Sequence, residues 1–223
     1  MTLKKGNDSL MIEVTSDFVC PWCFIGEARL AQALKSVAPP VAVEYRWRPY
    51  ELNPGKPKAG VDRAEYMAKK FGAARAKEMD AHMKELGAEA GVVFRHDLIK
   101  RSPNTRQAHR LNWWAAQEGK NIAPLIFKAY FSDGKNIGDD AALVKIAAEA
   151  GLDAEKARAF LASDQGTAAV VKLEEQARAQ GVDSVPFITI DGEEIRGAET
   201  VEVMVEVLRR VLGKRGRTAR GAA

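Results

Sequence analysis

The strand signals of this chain are confined to its two ends, and that separation limits what it can fold into. Met11 to Thr15 (M-I-E-V-T) is rich in β-branched residues and reads as a short strand. Phe24 to Val37 carries Ile25, Ala28, Leu30, Ala31 and Leu34 at helical spacing, and Pro39-Pro40 closes that helix. Val41 to Trp47 alternates and reads as a second strand. From Gly60 to about Gly181 the period is almost wholly helical. Helices are predicted over 63–90, 105–118, 124–131, 140–150, 154–162 and 167–180, with Val92-Val93-Phe94 as a short extended break. Gly119, Gly134, Gly151 and Gly181 fall at helix ends, where a left-handed cap residue belongs. Strand signals return at 187–190 and 193–196, joined by Asp191-Gly192, a type I′ hairpin signal. A last amphipathic helix over 200–212 carries Val201, Met204, Val205, Leu208 and Val211. Two strands alone are marginal in water, so strands from both ends are expected in one sheet. The fold class is α/β. The sheet domain is drawn from residues 10–50 and 181–213, a helical insertion domain occupies 61–180, and a basic flexible tail covers 214–223.

The tail accounts for the charge. The 34 Lys and Arg against 30 Asp and Glu leave a net +4, and Lys214, Arg215, Arg217 and Arg220 equal that excess. The body is therefore close to neutral, which argues against nucleic acid as a partner. No apolar run approaches the roughly 18 residues needed to span a bilayer, so no membrane partner is expected. The segment M-T-L-K-K-G-N-D-S-L has two lysines but no apolar stretch and cleavage site after them. A cytoplasmic location is expected. The oligomeric state is left open, with a homodimer as one outcome.

Only two cysteines are present, Cys20 and Cys23, in the run Cys20-Pro21-Trp22-Cys23. A secreted disulfide scaffold would hold more, at wider spacing, and the cytosolic thiol pool keeps a structural disulfide reduced. The pair follows a strand and opens a helix. A cysteine at a helix N-terminus meets unpaired amides and the positive end of the macrodipole, which favour its thiolate. Pro21 at the first helical position gives up no needed donor. Cys20 is expected as the exposed attacking thiol and Cys23, one turn on, as the buried resolving thiol. A zinc site would need about four ligands, and His82, His96 and His109 are not paired at ligand spacing. No metal and no organic cofactor is expected.

Five segments carry a family resemblance: S-D-F-V-C-P-W-C-F-I-G at 16–26, Y-E-L-N-P at 50–54, N-T-R-Q-A-H at 104–109, A-Y-F-S-D-G at 129–134 and G-V-D-S-V-P-F-I at 181–188. Over about residues 10–212 the chain resembles the DsbA-like branch of the thioredoxin superfamily, in particular its cytoplasmic FrnE-like members. The resemblance implies a thioredoxin-like fold with a large all-helical insertion, and a thiol–disulfide oxidoreductase or isomerase acting on thiol- or disulfide-containing proteins. It implies a cis bond between Val185 and Pro186 lying against the cysteines, with Pro186 part of the catalytic set and the Val185 backbone free to pair with an extended substrate. Asn104 and His109 would line the groove; a capping Asn and a surface His is the plainer alternative. Trp22, Phe24 and Phe187 are groove-wall candidates. Trp113-Trp114 and the pair Met79 and Met83 read as core.

Two departures from better-known relatives stand out. Thioredoxin and periplasmic DsbA carry a buried acid six residues before the first cysteine, where this chain has Val14. Asp17 is a substitute candidate, against the plainer reading of a solvated turn residue or helix N-cap. Periplasmic DsbA also has a histidine after the proline, where this chain has Trp22. The resemblance extends to 2-hydroxychromene-2-carboxylate isomerases and kappa-class glutathione transferases, in which a serine usually replaces the first cysteine. A glutathione-dependent isomerase or transferase is thus the alternative function, with glutathione as co-substrate. A non-catalytic binding module is a third.

Overall fold

The computed structural model describes residues 9–221, with side chains described through Arg215. Strand β1 (Ser9–Ser16), helix α1 (Pro21–Val37) and strand β2 (Ala42–Pro49) come first. The last part contributes β5 (Phe187–Ile190), β6 (Glu193–Arg196) and α9 (Val201–Gly221). One four-stranded sheet joins them in the order β2-β1-β5-β6. β1 runs parallel to β2, as a helical crossover requires, and antiparallel to β5. The apolar positions fix this register: Ile12 faces Ile190 and Val14 faces Ile188. These four side chains are buried with Leu30 of α1 and with Met204, Leu208 and Val211 of α9. The sequence is thus α/β, with strands from both ends meeting in one sheet.

Between them lie β3 (Val61–Asp62), α2 (Arg63–Phe71), α3 (Ala73–Glu89), β4 (Arg101–Ser102), α4 (Arg106–Gln117), α5 (Ala123–Phe127), a π turn (Lys128–Ser132), α6 (Asp140–Glu149), α7 (Ala154–Ala162) and α8 (Thr167–Ala179). A second, aromatic-rich cluster holds α3 to α7 together and includes Phe24, Phe94, Phe127 and Phe131. Trp113 and Trp114 stack on Phe160, so they belong to the core. Trp47 packs against both clusters.

Three expectations need correction. The helix predicted over 63–90 is two helices, because Gly72 takes φ 84°, a left-handed value that ends α2. The break at Val92–Phe94 forms no strand; the short ladder is instead β3 with β4. The last helix does not stop at Leu212 but continues to Gly221, into the stretch expected as a flexible tail. Lys214 holds Glu193 at 2.5 Å, and Arg215 pairs with Asp191 and donates to the Ser9 carbonyl at 2.7 Å. Those contacts tie the extra turns to the β5–β6 hairpin. The side chains of Arg217 and Arg220, and residues 1–8 and 222–223, lie outside the described residues. Among the described residues no helix is long and apolar enough to cross a membrane.

Candidate functional site

β1 ends at Ser16, and the chain turns tightly before α1. The Cys20 amide donates to the Asp17 carbonyl at 3.0 Å, and the Cys20 carbonyl accepts from Cys23 at 3.1 Å. Cys20 is the N-cap, with extended backbone (φ −89°, ψ 114°), and Pro21 begins the helix. No side chain caps the first turn; Pro21 has no amide hydrogen to offer, and the Cys23 and Phe24 amides turn back onto the Cys20 carbonyl. Both cysteines are free thiols.

Cys20 is only 5% exposed, not the open thiol expected, yet it forms part of the wall of a cavity of about 240 Å³. Its Sγ lies 3.7 Å from the Val185 carbonyl. The Val185–Pro186 bond is cis, and Pro186 is buried over Gly26 of α1. A Cβ on Gly26 would come 3.0 Å from Pro186 Cγ, so glycine lets the helix approach that closely. Cys23 is sealed. Its thiol is pushed well above the ordinary range, first by burial and then by Cys20, while Ser16 and the Asp17 amide pull the other way.

The far wall of the cavity comes from the helical segment. α2 and α3 supply Tyr66, Met67, Phe71, Met79 and Met83, and the π turn presents Tyr130 and Phe131. Met83 is buried as expected of core; Met79 is half-buried, and both also face the cavity. Single π turns recur at functional sites because the extra residue re-aims side chains. Arg63 grips Asp80 with bonds of 2.9 and 2.6 Å, and His96 stands 3.5 Å from the same carboxylate. Lys56 is half-buried, sits 3.9 Å over the Tyr66 ring and donates to Ser102 Oγ at 2.6 Å. Burial lowers its pKa to about 8. Lys56 and the α2–α3 wall were not singled out from sequence. Helical spacing marks the apolar residues as one face, but it does not distinguish a face on a core from one on a cavity.

Trp22 is 42% exposed at the cavity rim, its ring centroid 6.4 Å from that of His82. Val185 offers its carbonyl at Cys20, as above. The other groove candidates lie elsewhere. Phe24 is buried beneath the site, stacked on Phe127 and Phe131 at 5.5 and 5.7 Å, so it supports a wall without forming one. Phe187 sits on β5 under the Arg196 guanidinium, facing a small cleft toward α8. Asn104 is a structural link: its Nδ2 donates to Glu51 Oε2 at 3.1 Å and its Oδ1 accepts from the Arg106 amide at 2.9 Å.

His109 is neither on the groove nor on the surface. Its ring is sealed, tilted against Phe18 at 4.8 Å, with Nδ1 accepting from Trp47 Nε1 at 3.4 Å. Nε2 therefore carries the proton, and it faces Asp17 Oδ1 at 3.4 Å. Asp17 is fully buried, its Oδ2 taking the Leu52 amide at 2.8 Å, so it is neither a solvated turn residue nor a helix cap. The Y-E-L-N-P and N-T-R-Q segments meet here as well. Buried Glu51 pairs with Arg106 and Asn104, and Arg178 binds the Glu51 carbonyl, Glu174 and the Tyr50 hydroxyl. Burial raises the Glu51 carboxyl above its usual range, against the pull of Arg106. Among the described residues no three His, Cys, Asp or Glu side chains are grouped to hold a metal ion.

A family model described as DSBA-like thioredoxin domain matches residues 11–209. A curated relative, the uncharacterized protein YwbO of Bacillus subtilis (strain 168), is 31% identical over 144 residues, 64% of this chain. The match spans 66% of that relative, just under two thirds of its length. The solved structure of a probable DsbA oxidoreductase from Streptomyces coelicolor superposes with a TM-score of 0.83 at 31% identity, covering 92% of this chain and 90% of that one. The cytosolic disulfide reductase DsbM from Pseudomonas aeruginosa gives 0.62 at 16% identity, covering 94% and 100%, and has also been solved with GSH. At that identity the likeness carries the fold alone.

Proposed function

Since this chain belongs to the DSBA-like thioredoxin domain family, we propose that it is a thiol–disulfide oxidoreductase working through Cys20 and Cys23. Cys20 thiolate attacks a substrate disulfide, one substrate sulfur leaves, and a mixed disulfide forms. Cys23 then attacks Cys20, closing the internal disulfide and releasing the second substrate thiol. The reaction also runs backward, with the relative stabilisation of the thiolates setting its direction.

One observation carries this reading. Of two free thiols a helical turn apart, one faces a cavity and the other is sealed behind it. The cavity gives Cys20 a place to meet a disulfide, and the seal reserves Cys23 for the internal step. The Val185 carbonyl beside Cys20 is an acceptor for the backbone of an extended peptide, so protein disulfides are the proposed substrates. A reducing compartment, the cytoplasm, suits a protein whose only cysteines are its working pair.

A second reading has support from the same cavity. About 240 Å³ suits a small thiol, and Lys56 and Lys70 in its wall have no carboxylate partner among the described residues. Glutathione would then be the co-substrate of an isomerase or transferase. The variant Cys23→Ser separates the two. Expressed in cells, it is expected to accumulate disulfide-linked adducts with several proteins, visible without reductant and absent from Cys20→Ser. Glutathione alone on Cys23→Ser by intact mass, together with an active Cys20→Ser, would replace the first reading with the second.

A further inference from the structure

The cavity beside Cys20 holds more positive charge than negative. Among the described residues four side chains of fixed charge line it: Lys56, Arg63, Lys70 and Asp80. Arg63 and Asp80 cancel through bonds of 2.9 and 2.6 Å, and His96 stands 3.5 Å from the same carboxylate. The two lysines are left over. Among the described residues neither has a carboxylate within ion-pair distance. Asp17, whose charge reaches Lys56 from farther off, turns one oxygen to the Leu52 amide and the other to His109.

Both ammonium groups converge instead on one ring. Lys56 Nζ lies 3.9 Å from the Tyr66 centroid and donates to Ser102 Oγ at 2.6 Å. Lys70, though exposed, brings its Nζ to 5.6 Å from the same centroid and donates to the Tyr66 hydroxyl at 3.3 Å. Like charges over one ring repel, and Lys56 is half-buried, which pushes its pKa down to about 8. It has given up water without gaining an anion, and a hydroxyl and a ring face return only part of that loss. An anion shared by the two lysines would relieve both strains. The remaining wall is largely apolar, with Met67, Phe71, Met79, Met83 and Phe131 facing the same space. A cavity of about 240 Å³ admits one small molecule.

We infer that this cavity is a specificity subsite for small disulfides carrying a carboxylate on an apolar or aromatic body, with Lys56 and Lys70 receiving the carboxylate. The inference rests on the exchange reading above and adds a substrate class to it. Cys20 thiolate bonds to one sulfur of the small disulfide, the S–S bond breaks, and the other sulfur leaves with the electron pair as a thiolate. Cys23 then displaces the first sulfur from Cys20, so the dithiol is oxidised by two electrons and the small disulfide is reduced by the same two. The lysines position the substrate and keep their protons throughout.

The test compares two aryl disulfides at neutral pH. Dithiobis(nitrobenzoate) carries a carboxylate on each ring, and dithiodipyridine carries none. The rate of thiol release by reduced protein is divided, for each reagent, by the rate with mercaptoethanol. The quotient of the two normalised rates is the anion preference, from which the intrinsic reactivity of Cys20 cancels. Wild type should show a preference several-fold above one. Lys56→Met should lower it about tenfold, the scale of a hydrogen bond to a charged group. Lys70→Met, at an exposed position, should lower it about threefold, and Lys70→Arg should keep it. Lys69→Met removes a charge from the same helix outside the cavity and should leave the preference as it is. A wild-type preference of one or below, no fall in the Lys56 and Lys70 variants, or an equal fall in Lys69→Met would overturn the subsite. So would a lysine effect on acidic peptide disulfides with none on dithiobis(nitrobenzoate), which would give the carboxylate to a protein substrate. Should Lys56→Met not fold by circular dichroism, Lys70→Met carries the comparison. Absence of thiol release from both reagents in wild type would overturn the exchange reading instead.

Discussion

At the scale of single residues, the two thiols differ by their surroundings rather than by their chemistry. Cys20 meets a cavity, Cys23 is sealed from solvent, and burial holds the Cys23 proton. Iodoacetamide at neutral pH should therefore modify Cys20 well before Cys23 in the reduced protein; equal rates would contradict the assigned roles. The raised Cys23 value also has a consequence for stability. The folded protein keeps this proton to higher pH than the unfolded chain does. The contribution is fully present below the unfolded thiol range, about 8.5, and is lost as pH rises from there through the folded value. Reduced wild type should lose stability relative to Cys23→Ala above that pH, approaching about 1.4 kcal/mol per pH unit. Urea titrations at a series of pH values measure this, and parallel curves for the two proteins would refute it. The roles of single residues were unevenly legible in the sequence. Cys20 and Cys23 announce themselves by spacing and by position after a strand. Asp17 and His109 do not, because their 92-residue separation closes only when α4 brings His109 against Phe18 and Trp47, and a polar residue in sequence looks the same buried or wet.

At the scale of elements, α3 shows how packing overrides propensity. Gly87 lies inside this helix, where Ala would ordinarily gain about 1 kcal/mol. A Cβ there would stand 2.4 Å from Phe94 Cδ2, and that ring packs edge-on to Phe24 at 5.5 Å and to Phe131 at 5.0 Å. The ring has no room to retreat without disturbing the layer beneath the cavity. Gly87→Ala should therefore destabilise, by about 1–3 kcal/mol, despite its better propensity. A rise in the urea midpoint would show that the aromatic layer yields more readily than its packing implies. The same contrast explains which elements were legible. β1, α1, β2 and the β5–β6 hairpin each combine period, turn residues and caps that agree. The α2–α3 division was not read, because the pattern of apolar residues runs on through Gly72 while the backbone does not. The β3–β4 ladder is two residues long on each side, too short to show any alternation.

At the scale of the whole molecule, the sheet ties the chain ends together and Trp47 ties the sheet to the helices. Sequence order alone required strands from both ends to meet, since neither end could form a stable sheet by itself. It did not reveal whether the helical segment folds with that sheet or apart from it. The packing answers through shared walls. Cys20 and Cys23 open α1, whose Leu30 and Ala33 lie in the sheet cluster, while Phe24 and Ile25 of the same helix lie in the aromatic cluster. One helix thus serves two cores, and Trp47 touches both. Loss of either core should loosen the other. Leu208 of α9 is fully buried in the sheet cluster, far along the chain from the helical segment. Leu208→Ala should cost about 2–5 kcal/mol, the range for a leucine truncated in a close-packed core. If the two cores unfold as one unit, hydrogen exchange by mass spectrometry should show the opening free energy falling by the same amount in β1 and in α4, although Leu208 belongs to the sheet cluster and α4 to the other. A fall confined to β1, β5 and α9, with α4 and α7 keeping wild-type protection, would mean that the helical segment is a separate folding unit. The wall that α2 and α3 form over Cys20 could then open without disturbing the sheet that holds the cysteines.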